Sequence, residues 1–534
     1  MNKKSLLLFS LLHFTILFSL QSQNTDRPNV ILILADDLGY SDIGCYGGEI
    51  KTPALDQMAN GGMRLTSMYN AGMCVISRSS MLTGKWWPKV GYGIKNEMNI
   101  AQKLKASGYR TGLIGKWHLN GEPNDKGFDF FFGFLGGYSS YYKGGKDYRI
   151  NKKPFNNFGD DFYSTDTFTD YAIDFINPEK NKNNKPFFLY LSYQSPHNPL
   201  QAPKEQIMAH RGKYLKGWQA IRNARIKNQI KFGIINKETP LPDYPKNLPN
   251  WDTLTPEQKD LEDLRMSVYA AMVERMDNGI DKLLHALEAN GQIENTLILF
   301  MSDNGTDSFS VMDDVMLKKG LLPGDVGSNY QPGTGWAYAS VTPNRLYKIS
   351  QHNGGVKTGA IAYWPKGIKK KGTIYTEDLH MVDIMPTILD LTNSYKRDTS
   401  ISDNYVGESF SSLFKGQKFN RKSALYFQFM DNRAIRTKNY SLVEVDGSGW
   451  EIYNTKKDPL ETNDLSERLK KKTNKLDKKW LNWWKEQSNE PSYTPKSTAT
   501  SIHYKPQGDK GSGRQYVPTA MPDKLKEKYK KTNK

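Results

Sequence analysis

Cysteine is nearly absent from this chain of 534 residues, which has only Cys45 and Cys74. So few cysteines exclude a scaffold held together by many disulfides. Two interpretations remain for the pair: a single disulfide between them, or a Cys74 that is kept for its chemistry. The residues around Cys74 favour the second interpretation.

Long apolar segments are also missing, apart from one at the N-terminus. Residues 6–20 form an apolar run that follows Lys3 and Lys4 and ends at the polar residues 22–24. This pattern predicts a signal peptide over residues 1–23, and the alternative is an uncleaved N-terminal anchor. No later segment is long and apolar enough to replace it as a membrane span. We therefore expect an exported protein, periplasmic or secreted, with no membrane span in its mature form.

Acidic residues are outnumbered, since 56 Asp and Glu face 74 Lys and Arg and give a formal net charge of +18. An excess this large favours anionic partners, and nucleic acid, anionic glycans and acidic membrane surfaces all qualify. Much of it lies in lysine-rich stretches typical of solvated surfaces, at residues 369–371, 470–472 and 524–534. Charge alone therefore does not identify the partner.

Short apolar runs alternate with helical patterns along most of the chain. Four continuous apolar runs, each followed by polar residues, have the length and composition typical of strands buried on both faces. They are residues 30–34, 111–114, 187–191 and 296–301. Helical patterns include residues 52–60, 99–107 and 256–290. The alternation predicts an α/β fold with a mostly parallel sheet flanked by helices. The polar residues that follow the runs are expected at the carboxyl edge of the sheet, where ligands bind.

The pattern changes after about residue 409. Residues 425–429, 434–436, 440–445 and 450–453 predict a small antiparallel sheet, and residues 465–486 predict an amphipathic helix. We therefore expect a catalytic α/β domain over residues 24–408 and a small C-terminal subdomain over residues 409–488. A basic tail over residues 489–534 is either disordered or wraps back over the body.

Oxygen-bearing side chains follow two of the apolar runs. Asp36 and Asp37 come after the first, and Asp303 and Asn304 come after the last. Parallel strands would bring both pairs to one edge of the sheet. All-oxygen ligands favour Ca²⁺ or Mg²⁺ over zinc, so the sequence predicts a site for one of these ions.

The segment around Cys74 has a recognisable order of residues. Cys74 is followed by Ser77 and Arg78, and then by Leu-Thr-Gly at residues 82–84. This order resembles the signature of the type I, formylglycine-dependent sulfatase family, Cys-x-Pro-Ser-Arg followed by Leu-Thr-Gly. Ile76 departs from the family pattern, which usually has Pro or Ala there. The maturation enzyme reads this segment, so the departure bears on how efficiently Cys74 is converted.

The resemblance extends along most of the chain. It includes Gly-Lys-Trp-His at residues 115–118, Pro-His-x-Pro at 196–199 and Ser-Asp-Asn-Gly at 302–305. Residues 345–355 resemble the family's late lysine segment, where Asn353 replaces a usual Glu, and residues 383–387 and 450–453 resemble later landmarks. The resemblance implies a fold like that of alkaline phosphatase.

The resemblance also implies a nucleophile and a cofactor. Cys74 would be oxidised to formylglycine by a maturation enzyme, and the hydrated aldehyde would attack sulfur with one hydroxyl and expel sulfate with the help of the other. The bound cation would be Ca²⁺. Its ligands would be Asp36, Asp37, Cys74, Asp303 and Asn304.

Five further residues take roles from the same resemblance. Lys116 and Lys348 would contact the sulfate oxygens, and Arg78 would steady the nucleophile. His118 would manage the proton of the diol, and His197 would protonate the leaving alcohol.

An exported, basic protein of this family fits a sulfated polysaccharide or its oligosaccharides as substrate, with no nucleic-acid partner. Ulvan, carrageenan, fucoidan and host glycosaminoglycans are candidates. Tyr330, Trp336 and Tyr338 either stack on sugar rings or pin an aromatic loop, and His352 either contacts substrate or is structural.

Two other functions stay open. One is a phosphatase or phosphodiesterase of the same superfamily, although two-zinc members need more histidines than the seven left after His13 is removed with the signal peptide. The other is a catalytically silent protein that binds sulfated glycans, if Ile76 prevents the conversion of Cys74.

Overall fold

Apolar side chains, aliphatic and aromatic, dominate the central strands, as expected of strands covered on both faces. The structure, a computed structural model, describes residues 27–94, 97–181, 184–395, 404–493 and 516–530. Its first strand, β1 (Asn29–Asp36), is buried along all but its first residue. The predicted signal peptide, residues 1–23, lies outside the described residues. The predicted domain boundaries stay predictions.

Eleven strands form the large sheet. They are β1, β2 (Met63–Tyr69), β3 (Arg110–Lys116), β4 (Phe130–Phe134), β5 (Tyr148–Ile150), β6 (Lys153–Pro154), β7 (Phe187–Pro196), β8 (Thr296–Ser302), β9 (Lys357–Tyr363), β10 (Thr373–Tyr375) and β11 (Leu379–His380). The order is β10-β2-β9-β8-β1-β7-β3-β4-β5-β6, and β11 also pairs with β2. The five consecutive strands from β8 to β4 are parallel, and β9 runs antiparallel to both of its neighbours. The predicted mostly parallel sheet is confirmed.

Helices cover both faces of this sheet. Among the described residues they are α1 (Pro53–Gly61), α2 (Cys74–Thr83), α3 (Trp87–Val90), α4 (Ile100–Ala106), α5 (Ser164–Ile176), α6 (Lys204–His210), α7 (Trp218–Lys231), α8 (Pro256–Ala289), α9 (Asp313–Lys318), α10 (Gly333–Ser340), α11 (Asn353–Val356), α12 (Ile384–Leu391) and α13 (Lys470–Ser488). One core lies between the sheet and α1, α5 and α8, and a second lies between the opposite face and α2, α4 and α12. None of the described helices is long and apolar enough to cross a membrane.

Local sequence explains where the longest helix begins. Thr255 accepts a hydrogen bond from the backbone N–H of Gln258, and the Gln258 side chain accepts one from the backbone N–H of Thr255. This capping box and a proline at the first helical position satisfy the free donors of the first turn of α8. The predicted helix over residues 256–290 is confirmed within one residue.

The C-terminal part forms a second sheet, as predicted. Its strands pair antiparallel in chain order: β12 (Leu425–Phe429), β13 (Asn432–Arg436), β14 (Tyr440–Glu444) and β15 (Glu451–Asn454). Helix α13 covers one face of this sheet through Trp480, Trp483 and Trp484. The helix begins at Lys470 rather than residue 465, because residues 465–469 form a turn that precedes it.

The described piece of the tail wraps over the catalytic domain. Tyr516 donates a hydrogen bond to Glu262 at 2.8 Å, and Tyr529 donates one to Asp325 at 3.0 Å. The backbone N–H of Met521 donates to the carbonyl oxygen of Glu257. Residues 516–530 therefore wrap over the body of the protein, which is one of the two alternatives that the sequence left open for the tail.

Candidate active site

Four parallel strands bring distant polar residues to one edge of the sheet. Asp36 lies opposite Pro196 across the β1–β7 pair, and Ala35 lies opposite Ser302 across the β1–β8 pair. Lys116 ends β3, which pairs with β7. The first residues past these strand ends therefore meet at one place, as ligand sites in parallel sheets do.

Two adjacent carboxylates form the centre of this cluster. Asp36 and Asp37 are both buried, and Lys116 Nζ lies 2.5 Å from Asp36 Oδ2. Lys348 Nζ donates to the two oxygens of Asp37 at 2.7 and 2.8 Å. Burial raises the pKa of the Asp37 carboxyl, but Lys348 and His197 outweigh this effect and bring it to about 2. Burial raises the pKa of Asp36, and Lys116 opposes that rise.

A third carboxylate arrives from β8. Asp303 Oδ2 accepts hydrogen bonds from Arg78 Nε at 3.0 Å and from Arg78 Nη2 at 2.8 Å. Burial and the charge of Asp36 raise the pKa of Asp303 to about 6, although Arg78 lowers it. Asn304 donates from Nδ2 to Asp37 Oδ1 at 2.5 Å. The site thus places three carboxylates opposite three cations: Arg78, Lys116 and Lys348.

Cys74 is the first residue of α2 and its side chain enters this cluster. It is 1% exposed, and its Sγ and oxygens of Asp36 and Asp303 all lie within 4.8 Å of one another. Neither cysteine forms a disulfide, so the paired interpretation of Cys45 and Cys74 is wrong. Burial raises the pKa of the Cys74 thiol above its usual value, although Lys116 and Lys348 oppose the rise. An unmodified thiol is therefore a poor nucleophile here, because the thiolate is the reactive form.

Two histidines stand at the rim of the cluster. His197 Nδ1 lies 2.6 Å from the carbonyl oxygen of Asn198, which leaves Nε2 facing Asp37 Oδ2 at 3.6 Å. Burial lowers the pKa of His197 to about 3, against the opposing effect of Asp37. Burial and Lys116 hold the pKa of His118 far below its usual value. Both imidazoles are therefore neutral near pH 7.

The side chains present fit a divalent cation. Asp36 Oδ1 and Asn304 Oδ1 are buried and accept no hydrogen bond within the described part of the chain. An oxygen left this way is costly unless a ligand satisfies it. Both are hard ligands of the kind that Ca²⁺ prefers, and Asp37 and Asp303 add carboxylates beside them. Two positive charges added to this balanced cluster would leave it net positive and attractive to an anionic ester.

Comparison with known proteins agrees with this geometry. The sulfatase family profile matches residues 28–394, and the C-terminal profile of N-sulphoglucosamine sulphohydrolase matches residues 347–487. An uncharacterized sulfatase of Schizosaccharomyces pombe is 32% identical over 85% of this chain and 93% of its own length. The chain belongs to the sulfatase family. It is a sulfuric ester hydrolase.

Two further relatives align with most of this sulfatase and with most of their own length. The arylsulfatase of Klebsiella aerogenes is 34% identical over 68% of this chain and 86% of its own length. The crystal structure of Ps i-CgsB in complex with k-i-k-neocarrahexaose has a TM-score of 0.65 and 26% identity, and covers 89% of this chain and 96% of that one. The α/β fold of the sulfatase is therefore shared along nearly its whole length.

The structure brings together all ten residues predicted for the site of this sulfatase, while their individual roles stay predictions. Arg78 takes up different contacts from those expected. Besides its two bonds to Asp303, its Nη1 donates to the carbonyl of Lys116 and to the hydroxyls of Tyr190 and Ser192. All of these partners are buried, so Arg78 chiefly holds Asp303 and the end of β3 in place.

Four other residues that were considered for contacts with the substrate lie in the protein interior. Tyr330, Trp336 and Tyr338 are at most 4% exposed and pack in the core, the last two on helix α10, so they do not face a sugar. His352 is buried and its Nε2 lies 3.0 Å from Glu451, so it joins the two sheets instead of facing substrate.

Two residues at the site of the sulfatase were not predicted. Asp307 is buried close to Lys348 and Asp37, and burial raises its pKa to about 6. Its position four residues after Asp303 was the available signal. Tyr138 is 57% exposed and its ring stacks on His197, with centroids 6.2 Å apart. Only the glycine- and aromatic-rich composition of residues 132–142 pointed to a loop there.

Proposed function

We propose that this sulfatase is exported and hydrolyses sulfate esters of a sulfated polysaccharide or its oligosaccharides, with formylglycine made from Cys74 and with bound Ca²⁺. The observation that carries the proposal is the position of Cys74: buried, at the start of α2, beside Asp36 and Asp303 and near Lys116 and Lys348. As formylglycine, position 74 would supply a hydrated aldehyde, one hydroxyl to attack sulfur and one to expel sulfate.

The proposed cation site consists of Asp36, Asp37, Asp303 and Asn304, with position 74 beside them. Ca²⁺ there would supply Lewis-acid polarisation of a sulfate oxygen. Arg78 keeps Asp303 charged and oriented through two hydrogen bonds. Lys116 pairs with Asp36 and Lys348 pairs with Asp37, where both would attract the anionic ester and stabilise charge that develops on its oxygens.

The two histidines are proposed to handle protons. His197 is held by Asn198 and by Tyr141, whose hydroxyl donates to the His197 carbonyl at 2.9 Å. An anionic ester close to Nε2 would raise its pKa toward the range in which it gives a proton to the leaving alcohol. His118 has an unpartnered, buried Nδ1 among the described residues, and an anionic ester nearby would raise its low pKa so that it can manage the proton of the hydroxyl at position 74.

A carrageenan-type glycan is the first substrate to test. The relative Ps i-CgsB has been crystallised with a neocarrahexaose, and its identity to this chain is 26%. The positive net charge of the chain also favours a polyanionic substrate. Export to the periplasm or the medium, as the N-terminal segment predicts, would give the enzyme access to such a polymer.

One experiment tests the nucleophile directly. The chain is co-expressed with a formylglycine-generating enzyme, and the mass of the tryptic peptide over residues 65–78 is measured. We expect an aldehyde at position 74 together with sulfate release from carrageenan oligosaccharides and little phosphate release from phosphate esters assayed beside them.

Matched variants complete this test. Cys74→Ala should reduce sulfate release by at least about a thousandfold without changing the melting temperature. Cys45→Ala removes the other buried thiol and should leave turnover nearly unchanged. Near-normal turnover in Cys74→Ala, or an unmodified Cys74 in an active enzyme, would contradict the proposed nucleophile.

A further inference from the structure

A second cleft lies beside the catalytic cluster and shares no residue with it. Its volume is about 690 Å³, within the range of ligand sites, and none of the ten predicted site residues lines it. One wall comes from the catalytic domain and includes Tyr40, Thr66 and Ile234. Tyr40 follows Asp37 by three residues, so the Cα atoms of the two lie at most about 11 Å apart.

The C-terminal subdomain contributes four lysines to the lining of the cleft. Lys422 precedes β12, Lys438 lies in the turn between β13 and β14, Lys456 follows β15, and Lys479 lies on α13. Four separate stretches of chain thus bring one lysine each to the same cleft. All four are exposed, and none forms an ion pair within the described part of the chain.

A fifth lysine lies on the side of the catalytic domain. Lys357, the first residue of β9, is half-buried, and its ammonium lies 5.7 Å from the centre of the Tyr40 ring. Burial and the neighbouring Arg436 lower its pKa to about 8. Among the described residues it also has no ion-pair partner, so an anion in the cleft would compensate its charge.

The acids and arginines of the cleft are largely matched to one another. Arg436 Nε donates to Asp378 at 2.8 Å, and Arg421 pairs with Asp383. Glu377 is the other acid among the lining residues. The lining includes seven Lys and Arg but only two acids. The positive charge without an ion-pair partner among the described residues is carried by lysine ammonium groups.

We propose that this cleft binds a sulfated stretch of the polysaccharide outside the catalytic pocket. Lysines are flexible point charges, which suits sulfate groups at irregular spacing along a glycan. Thr239 and Thr376, which line the cleft and are accessible to solvent, can form hydrogen bonds with sugar hydroxyls. The ligand class rests on the proposed function, whereas the site itself is independent of the catalytic residues.

Binding to dextran sulfate tests the proposal without hydrolysis. The Cys74→Ala chain is titrated with short dextran sulfate, and with unsulfated dextran and polyaspartate as comparison ligands. The cleft variant carries Lys422→Gln, Lys438→Gln and Lys456→Gln. Its matched control carries Lys371→Gln, Lys471→Gln and Lys485→Gln, three exposed lysines outside the cleft with the same change in net charge.

We expect the cleft variant to bind dextran sulfate about tenfold more weakly, since each lost charge contact is worth roughly two- to threefold. The control should stay within about twofold of the parent chain. With Cys74 restored, turnover of a small aryl sulfate should be the same in both triple variants. Equal losses of binding in both would overturn the proposal, because binding would then follow net charge alone.

Polyaspartate that binds as tightly as dextran sulfate would overturn the glycan assignment. Cleft-dependent binding, combined with no sulfate release by the mature enzyme that retains Cys74, would support this site while contradicting the proposed function. The two proposals can therefore fail separately.

Discussion

Asp37 and His118 show how single residues shape this site. Their φ angles are 63° and 56°, in the left-handed region that residues other than glycine rarely adopt. In a regular strand, neighbouring side chains point to opposite faces. The left-handed turn at Asp37 breaks that alternation, so Asp36 and Asp37 can both contribute to one cluster. Such conformations cost about 1–3 kcal/mol each and persist where the surrounding structure holds them, which is typical of functional sites.

Tyr138 gives a prediction at the same scale. Its exposed ring lies over His197, and in the proposed mechanism it would offer a flat surface for the sugar next to the scissile ester. Tyr138→Ala should raise KM for a sulfated oligosaccharide roughly two- to tenfold, with a smaller effect on kcat, because it removes a stacking contact and no charged group. Steady-state kinetics on the mature enzyme measures both constants.

A matched control is available for this variant. Tyr92 is also exposed, 43%, and stacks on Trp87 at 5.9 Å. Tyr92→Ala should leave KM unchanged, and Tyr138→Phe should retain most of the binding. If Tyr138→Ala and Tyr92→Ala behave alike, Tyr138 does not contact the sugar.

Helix α13 explains how the C-terminal sheet is stabilised. Trp480 is fully buried in the core between this helix and the sheet, and its Nε1 donates to the carbonyl of Phe427 at 3.1 Å. The adjacent Leu481 points outward and is 37% exposed. The helix therefore holds one face of the sheet through a narrow stripe of tryptophans, as its amphipathic sequence predicts.

Trp480→Ala should destabilise this subdomain by about 3–5 kcal/mol, the usual cost of removing a large buried aromatic side chain. Chemical denaturation followed by tryptophan fluorescence measures the loss. Leu481→Ala, next to it on the exposed side, should change the free energy of unfolding by no more than about 0.5 kcal/mol. Equal effects of the two substitutions would show that α13 does not dock through Trp480.

At the scale of the whole molecule, calcium should link stability to the catalytic centre. Asp36 Oδ1 and Asn304 Oδ1 are buried and accept no hydrogen bond from the described residues, and any ion that binds only the folded chain stabilises it. Adding Ca²⁺ at about a hundred times its Kd should raise the free energy of unfolding by about 2.7 kcal/mol. Thermal melts in Ca²⁺ and in chelator measure this effect without any need for activity.

The same melts have two internal controls. Mg²⁺ should stabilise less, because it demands near-ideal octahedral geometry and gives up its water ligands reluctantly. Asn304→Ala should shrink the difference between the Ca²⁺ and chelator melts. Identical melting temperatures with and without Ca²⁺ in the unaltered chain would contradict the metal assignment.

The amino-acid sequence by itself determined the fold class, several central elements, the family and the candidate site residues. The apolar runs at residues 30–34 and 296–301 predict β1 and β8, and the helical periodicity of residues 256–290 predicts α8. These patterns can be read from the sequence because each depends only on neighbouring residues. The motifs around Cys74, Lys116 and Asp303 name the family and its candidate residues for the same reason.

Only the tertiary structure decided which residues meet. Asp37 and Lys348 are separated by most of the chain, and their ion pair depends on where β1 lies in the sheet and on how the loop before β9 folds. The burial of Trp336, the engagement of Arg78 with Asp303 and the gathering of four lysines into one cleft depend in the same way on packing between distant segments. Such contacts follow from the order of strands and the docking of two sheets, which no local pattern encodes.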